Sequence, residues 1–596
     1  MLAWVLLCTG PRAHAEEPFA DRELYERELI EAALSRLDLE PEPDPAGKRI
    51  ERVAVVRFPI VRPLDPGQRW LHRTYVPVVL EYANLLHVVT REHIIRQELL
   101  FADGQVYDEA LVRESARNLR ALPLIFSTVR IVTARGSSPD RVVVVVITKD
   151  LWSIRLNSNG NFGGGVFNYF YMTPSEQNFL GYNQRLSLHF YLDRDTYAIG
   201  QAYRVPRLLG SRIQVEEDAA VRINHRRGGT EGGYGSLLFQ RPLFSLSTRW
   251  GFFVDGRFDL GIDRHYQGAD YRLWKVDDEA TGASWILPEI YAHQHFAARA
   301  IGQAAFGERF RTVLSAGYSM RSYTYELTDG MALLPEPVRD VFRASIMPLD
   351  EQYGSLVAGV EFFEARYRRF QNIQTLGLTE DFRLGPRALG ELGWAEPVFG
   401  FSQEHLRLYV ELGWRECFSG DIVSARLVGS IRYMPEHGIE QAHTDWIDRY
   451  AEIELENVSP SLWDLGRLFV RLRYVYSQYS RARTRYSLGG ENTLRGFVSG
   501  FRAGERLLNV NVEFRSRPWV FDTIHLGFVV FYDGGDAYGF TAERDFSYHQ
   551  SAGLGLRGIF PALDRWTTRL DIGIPLGADF HSHVIDWVTI AFLQAF

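Results

Sequence analysis

Leu488-Gly489-Gly490-Glu491-Asn492-Thr493-Leu494-Arg495-Gly496-Phe497 lies between two runs of strict two-residue alternation. Upstream, Leu468, Val470, Leu472, Tyr474 and Tyr476 are apolar, while Arg467, Arg471 and Arg473 take the opposite parity. Downstream, Leu508, Val510, Val512 and Phe514 alternate with Asn509, Asn511, Glu513 and Arg515. A period of two sends successive side chains to opposite faces, so each run reads as a strand with one apolar and one wetted face. The connection between them far exceeds the roughly two to five residues a hairpin requires, and connections of that length are commonly functional. Adjacent glycines followed by Leu494-Arg495-Gly496-Phe497 point to an ordered loop that places one charge, although a plain solvated turn uses the same residue types.

Outward from this stretch, the composition favours a barrel. The 596 residues exceed one ordinary globular domain. No apolar run approaches the roughly twenty residues of a spanning helix, and the longest, Val142 to Ile147, reads as a strand. Short alternating segments rich in Gly, Tyr, Phe and Trp are the pattern of a transmembrane β-barrel. A soluble sandwich or propeller alternates too, so the preference rests on the motifs as well. The net charge of −8, with Lys48, Lys149 and Lys275 as the only lysines, gives no basis for nucleic-acid binding.

Residues 1–15 read as a signal peptide: an apolar run, Leu2 to Leu7, ends in the cleavage pattern Ala13-His14-Ala15, without the usual basic start. Cleavage there removes Cys8 and leaves Cys417 alone, which excludes an intramolecular disulfide. Residues 16–49 begin with an acidic, helical-looking stretch and end in Glu40-Pro41-Glu42-Pro43-Asp44-Pro45; they are expected to be a mobile leader and a stiff linker. Residues 50–149 then give β-α-α-β-β: a strand over Ile50 to Phe58, a helical region over Tyr75 to Leu100, and a helix capped by Asp108. Its inward stripe is Leu111, Ser115, Leu119 and Leu122, and strands follow at Val129–Ile131 and Arg141–Thr148. Residues 150–596 are barrel-like to the end.

Gly489-Gly490 followed by Leu494-Arg495-Gly496-Phe497 resembles the sixth extracellular loop of the BamA/TamA superfamily, outer-membrane barrels that include two-partner secretion transporters and bacterial surface antigens. Downstream, Phe531-Tyr532-Asp533-Gly534-Gly535 resembles that family's Phe-x-Asp-x-Gly barrel motif, with Phe531, Asp533 and Gly535 in the matching places. Asn178-Phe179-Leu180-Gly181 resembles its first hairpin, and Gly104-Gln105-Val106-Tyr107 the turn of its periplasmic POTRA domains. The resemblance implies one N-terminal periplasmic α+β POTRA domain, at 50–149, and a transmembrane antiparallel β-barrel of sixteen strands in the outer membrane. About eighteen segments read as strands, and an even number is needed for both ends of the chain to lie on one side. The segment Pro59 to Tyr75 departs from the POTRA pattern and reads as an insertion.

The same resemblance implies that the loop folds into the lumen and seats Arg495 against Asp533. By parity Asp533 shares the wetted face with Val529 and Phe531, so a charge-assisted, bidentate pair is available there. Val588, Ile590, Phe592 and Phe596 resemble the family's C-terminal assembly signal, with Gln594 breaking its spacing. The implied function is insertion or translocation of unfolded polypeptides. The implied partners are the lipid bilayer, those substrates and accessory proteins. A passive channel or a structural surface antigen is the alternative.

No catalytic chemistry is expected, since Gly-x-Ser-x-Gly, His-Glu-x-x-His and Walker patterns are missing. No cofactor or metal is expected either; His293-x-His295 and His581-x-His583 lack an evident third ligand and read as solvated barrel-end residues. Glu452, Glu454 and Glu456 alternate with Ala451, Ile453 and Leu455 and read as lumen charges. Asp263–Pro288, Thr328–Tyr353 and Gln371–Gln403 read as long extracellular loops, and Trp446 and Trp463 as part of an aromatic girdle.

Overall fold

A computed structural model describes residues 20–58, 88–122, 126–150, 153–163, 166–267, 270–277, 284–376, 379–435, 444–521, 524–539, 545–559, 567–577 and 588–592. The chain divides into two compact units, Met1–Leu151 and Trp152–Phe596. The expected signal peptide, the segment Pro59 to Tyr75, His581, His583 and Phe596 lie outside the described residues.

In the first unit, Arg49–Phe58, Glu92–Glu98, Glu109–Ala121, Phe126–Arg135 and Arg141–Asp150 follow one another in β-α-α-β-β order. Arg141–Asp150 is the central strand, parallel to Arg49–Phe58 and antiparallel to Phe126–Arg135. Asp108 caps the second of these helices, accepting hydrogen bonds from the amides of Ala110 and Leu111. Val112, Ser115 and Leu119 are its buried stripe, while Leu111 is half-buried. They pack with Ile95 and with Val142, Val144 and Val146 on one face of the sheet.

The other face corrects the expectation of a mobile leader. Val143, Val145 and Ile147 pack against Ala33 and Leu34 of the helix Ala20–Leu37. Past that helix, Glu42 N donates to Thr133 O at 3.0 Å and Arg135 N to Glu40 O at 2.9 Å, which adds residues 40–42 to the sheet edge. The physical reason is the unbroken apolar run Val142–Ile147, which is hydrophobic on both faces and needs two covers. Lys48 holds the Glu42 carboxylate at 2.7 Å. The hydrogen bond from Lys48, and then that from the Asp44 amide, keep Glu42 below its usual carboxylate range. A depressed pKa contributes stability above the unfolded value and loses it as pH falls through the folded one. Relative to intrinsic rates, amide exchange at Arg135 is therefore expected to accelerate on acidification through the carboxylate range; pH-independent protection there would contradict this docking.

The second unit is a closed antiparallel barrel. Its ring contains twenty-two strand segments among the described residues; Arg366–Gln371 and Trp519–Val520 are short rim extensions, which leaves twenty staves. The first is Ile154–Gly163 and the last Val588–Phe592. The number is even, as required, but exceeds the expected sixteen. Part of the difference lies in Gln371–Gln403, expected as a loop, which contains the stave Thr379–Ala395. Its outward row holds only two bulky residues, Leu392 and Trp394, and its inward row is charged, with Arg387 bonded to Glu361 at 2.7 Å and to Glu411 at 2.6 Å. Alternation is weak where glycines replace apolar residues and the lumen solvates charge.

Elsewhere the alternation holds. Leu427, Ile453, Leu455, Val530, Leu554 and Leu556 are exposed on the outside, the apolar belt a barrel presents to lipid. Trp446 and Trp463 are exposed too. On the inside, Arg473 Nε meets Glu452 at 2.7 Å and Arg471 Nε meets Glu454 at 2.6 Å, so these acids are lumen charges. The other two long connections carry structure of their own: a hairpin, Leu273–Asp277 with Ser284–Pro288, and the helices Asp329–Ala332 and Glu336–Ser345. They share a core that includes Val276, Leu287, Val338, Phe342 and Met347.

Candidate functional site

The staves Gly466–Gln478 and Arg506–Ser516 are adjacent in the barrel, and the loop between them turns inward. Its root is held at the rim, where Arg481 Nη2 donates to Asp350 O at 2.7 Å and Arg485 Nη1 meets Glu289 at 3.2 Å. Gly490 N donates to Phe497 O at 3.1 Å. Thr493 Oγ1 donates to Gly489 O and accepts from Gly489 N, both at 3.0 Å. Leu488, Leu494 and Phe497 pack with Val475, Leu507 and Ala537, inward residues of the wall. The loop thus carries its own small core against the wall, which fixes where the next side chain points.

That side chain is Arg495, 1% exposed. Nε donates to Asp533 Oδ2 at 2.7 Å and Nη2 to Asp533 Oδ1 at 2.8 Å, the bidentate fork expected from the sequence. Nη1 donates to Glu513 Oε1 at 2.5 Å and lies 3.4 Å from Asp571 Oδ2. The guanidinium carbon stands 3.5 Å from the centroid of the Phe531 ring, a cation–π contact. Asn511 Nδ2 donates to Asp533 Oδ1 at 2.7 Å and to Thr493 O at 2.9 Å, tying the loop backbone to the acid.

Around this pair lies a charge network that the sequence reading did not identify. Arg515 Nε meets Glu513 at 2.7 Å, Arg557 Nη1 meets Asp571 at 2.5 Å, and Arg569 Nη2 donates to Asn492 Oδ1 at 2.8 Å. Three carboxylates, Glu513, Asp533 and Asp571, therefore face the guanidiniums of Arg495, Arg515, Arg557 and Arg569, and all seven side chains are buried. A buried charge is stable only when paired and hydrogen-bonded, so this network holds the loop only while it is complete. Its sequence signal was available: each member sits at the inward parity of a stave after the loop, apart from Arg495 itself.

The glycines explain how the backbone reaches the wall. Gly496 has φ +91°, and a Cβ there would lie 2.4 Å from Gly573 O on the stave Thr568–Pro575. A Cβ on Gly535 would lie 2.0 Å from Leu508 O across the neighbouring stave. Gly496→Ala is thus expected to cost about 1–3 kcal/mol in backbone strain before the clash is relieved. It should expose the loop to external protease while the barrel keeps its heat-modifiable migration. A loop as protected as in the wild type would show that the close approach is not maintained.

Phe592 lies in the last described stave, where it is the register partner of Thr568. His293, expected as a solvated barrel-end residue, is instead buried: it sits between Asp259 and Asp263, 3.2 Å from each, and stacks on His295 with ring centroids 4.6 Å apart. Among the described residues no group of three or more His, Cys, Asp or Glu is placed to hold a metal.

No family model matches the sequence, and no curated protein matches it. Among solved structures the chain is similar to CdiB from Escherichia coli, with 12% identity over 98% of this chain and 99% of that one and a TM-score of 0.40. It is also similar to BamA from Haemophilus ducreyi lacking POTRA domains 1–3, with 12% identity over 98% and 94% and a TM-score of 0.33. CdiB from Acinetobacter baumannii gives 11% identity over 98% and 99%, with a TM-score of 0.33.

Proposed function

We propose that this chain is an outer-membrane barrel that inserts or translocates unfolded polypeptides, with residues 50–149 acting as a periplasmic POTRA domain. The observation that carries the reading is the seated loop: Arg495 is buried inside a closed barrel and forked on Asp533. A passive pore gains nothing from a loop anchored across its lumen by a buried charge network. A device that must hold a closed state and leave it gains a defined state to leave. The exposed apolar belt is the basis for the bilayer as a partner. Substrate would add as a strand to the part of the edge strand Phe126–Arg135 that residues 40–42 leave uncovered, around Val129 and Ile131, and the closure between Ile154–Gly163 and Val588–Phe592 is the seam that would open. No catalytic step is assigned.

Depletion in the native host, with proteomics of outer-membrane and secreted fractions, tests the reading. Selective loss of a set of outer-membrane or secreted proteins is expected. An unchanged proteome together with a steady large conductance of the purified protein would favour the passive channel.

A further inference from the structure

At the end of the barrel where Ile154–Gly163 begins, one connection does not stay at the rim. Beyond Glu364 the chain continues as the short strand Arg366–Gln371, paired with Thr379–Leu384, and then turns through 372–376. Ile373 and Leu376 are 5% and 6% exposed. Ile373 packs with Phe382, Ile422, Val458 and Phe469, and Leu376 with Ile559. Ile422, Val458, Phe469 and Ile559 all lie at the inward parity of their staves and at this same end. The turn therefore lies inside the lumen against staves on both sides of the Arg495 site. Glu380 fastens it from below, accepting from the Gln374 amide at 3.0 Å, the Thr375 amide at 2.9 Å and Thr375 Oγ1 at 2.6 Å.

Two hydrogen bonds join this turn to the wall. Arg515 Nη1 donates to Ile373 O at 3.1 Å, and His525 Nδ1 lies 2.7 Å from Leu376 O. Arg515 also holds Glu513 through Nε at 2.7 Å, and Glu513 holds Arg495 at 2.5 Å. The loop from one end and the turn from the other thus meet through two side chains of one stave, Glu513 and Arg515.

We propose that residues 366–376 are an entrance-side latch, a second closure of the lumen, and that Arg515 is the positioning residue that couples its seating to that of the Arg495 loop. Release of Arg495 removes one of the three guanidiniums that fix Glu513, leaving Arg515 at 2.7 Å and Arg557 at 3.6 Å. The carboxylate then re-centres between those two, and the orientation of Arg515 and its bond to Ile373 O shift with it. A substrate arriving at the entrance would act in the opposite sense, lifting the turn first and loosening Arg495 through the same two residues. The latch stands on barrel contacts alone and does not require the insertion reading.

The test needs no substrate, so its failure is distinct from failure of that reading. Cys417 packs against the latch cluster, and its Sγ accepts from Arg368 Nη1 at 3.3 Å. In a Cys8→Ser background it is the sole thiol, and its labelling by a membrane-impermeant maleimide reports the seating of the turn in the purified full chain. Slow labelling is expected in this parent and several-fold faster labelling in Ile373→Asp/Leu376→Asp. Arg495→Ala and Arg515→Ala should accelerate it as well, although Arg495 makes no contact with Cys417. Arg299→Ala, which breaks the lumen pair with Asp255 elsewhere on the wall, should leave it unchanged. Parent-like labelling in Arg495→Ala and Arg515→Ala overturns the coupling. Equal acceleration in Arg299→Ala overturns it too, since the response would then be general loosening. Heat-modifiable migration confirms that each variant is a folded barrel, and if the double aspartate variant is not, the Arg495 and Arg515 arms decide.

Discussion

Arg495→Ala is expected to release the loop and, on the proposed function, to abolish polypeptide insertion or translocation while leaving the barrel folded. The guanidinium is 1% exposed and bonded to acids that are 0% exposed. Removing one partner of such a pair leaves uncompensated buried charge, a cost of about 3–5 kcal/mol. That cost falls on the loop, because the barrel is closed by a continuous backbone ladder that the substitution does not touch. Asp533→Ala should be milder than Arg495→Ala, since Glu513 and Asp571 still face the guanidinium. The double variant should be little worse than Arg495→Ala alone, with a coupling energy near the top of the range of about 0.5–3 kcal/mol seen for residues in contact. Arg495→Lys should rescue only in part, because an ammonium cannot reproduce the fork on Asp533. Protease sensitivity of the loop in intact cells, heat-modifiable migration and complementation of a depletion strain give the three readings. Simple additivity of the two alanine defects would falsify the shared interaction.

How much of this could be read in the sequence differs from element to element. The Arg495–Asp533 pair was legible because both residues sit in a recognisable order and because parity alone sends Asp533 inward. The five staves after the loop were legible for a similar reason: Leu508, Leu526, Leu554, Leu570 and Ile590 mark strands whose outer face must be apolar, and each lies in an observed one. Thr379–Ala395 was not legible, because Pro386, Ala388 and Gly390 stand where bulky residues would mark its apolar row. The docked leader was hidden for a different reason. Helix Ala20–Leu37 is only weakly amphipathic, and the demand for a second cover comes from Val142–Ile147, remote in sequence. Glu513, Asp571 and Arg557 were visible as inward charges, but parity gives a face and not a height along the stave. Whether they meet Arg495 depends on strand register, which a single sequence specifies poorly.

Glu513→Ala is expected to loosen the loop by about 3–5 kcal/mol, as much as loss of Arg495, because it breaks a buried network at its shared anion. Glu513 meets Arg495 at 2.5 Å, Arg515 at 2.7 Å and Arg557 at 3.6 Å. Without it, the network's four buried guanidiniums would face only two carboxylates of the three, Asp533 and Asp571. Arg495 would keep its fork on Asp533, whereas Arg515 would lose the carboxylate that meets its Nε at 2.7 Å. Repulsion among the arginines then adds to desolvation, and both are relieved by letting the loop leave. Glu513→Gln keeps the shape and one acceptor oxygen but removes the charge, so it should fall between wild type and alanine. The charge account makes a further demand: Glu513→Ala/Arg515→Met should be more stable in the loop than Glu513→Ala alone, since it removes one cation from a network that has lost an anion and keeps an apolar body against Phe469, over which Arg515 now lies at 3.7 Å. Amide exchange across 489–501 in the purified protein measures all three variants on one scale. If the double variant exchanges faster than Glu513→Ala, Glu513 acts through packing rather than charge, and the network does not hold the loop in the way described.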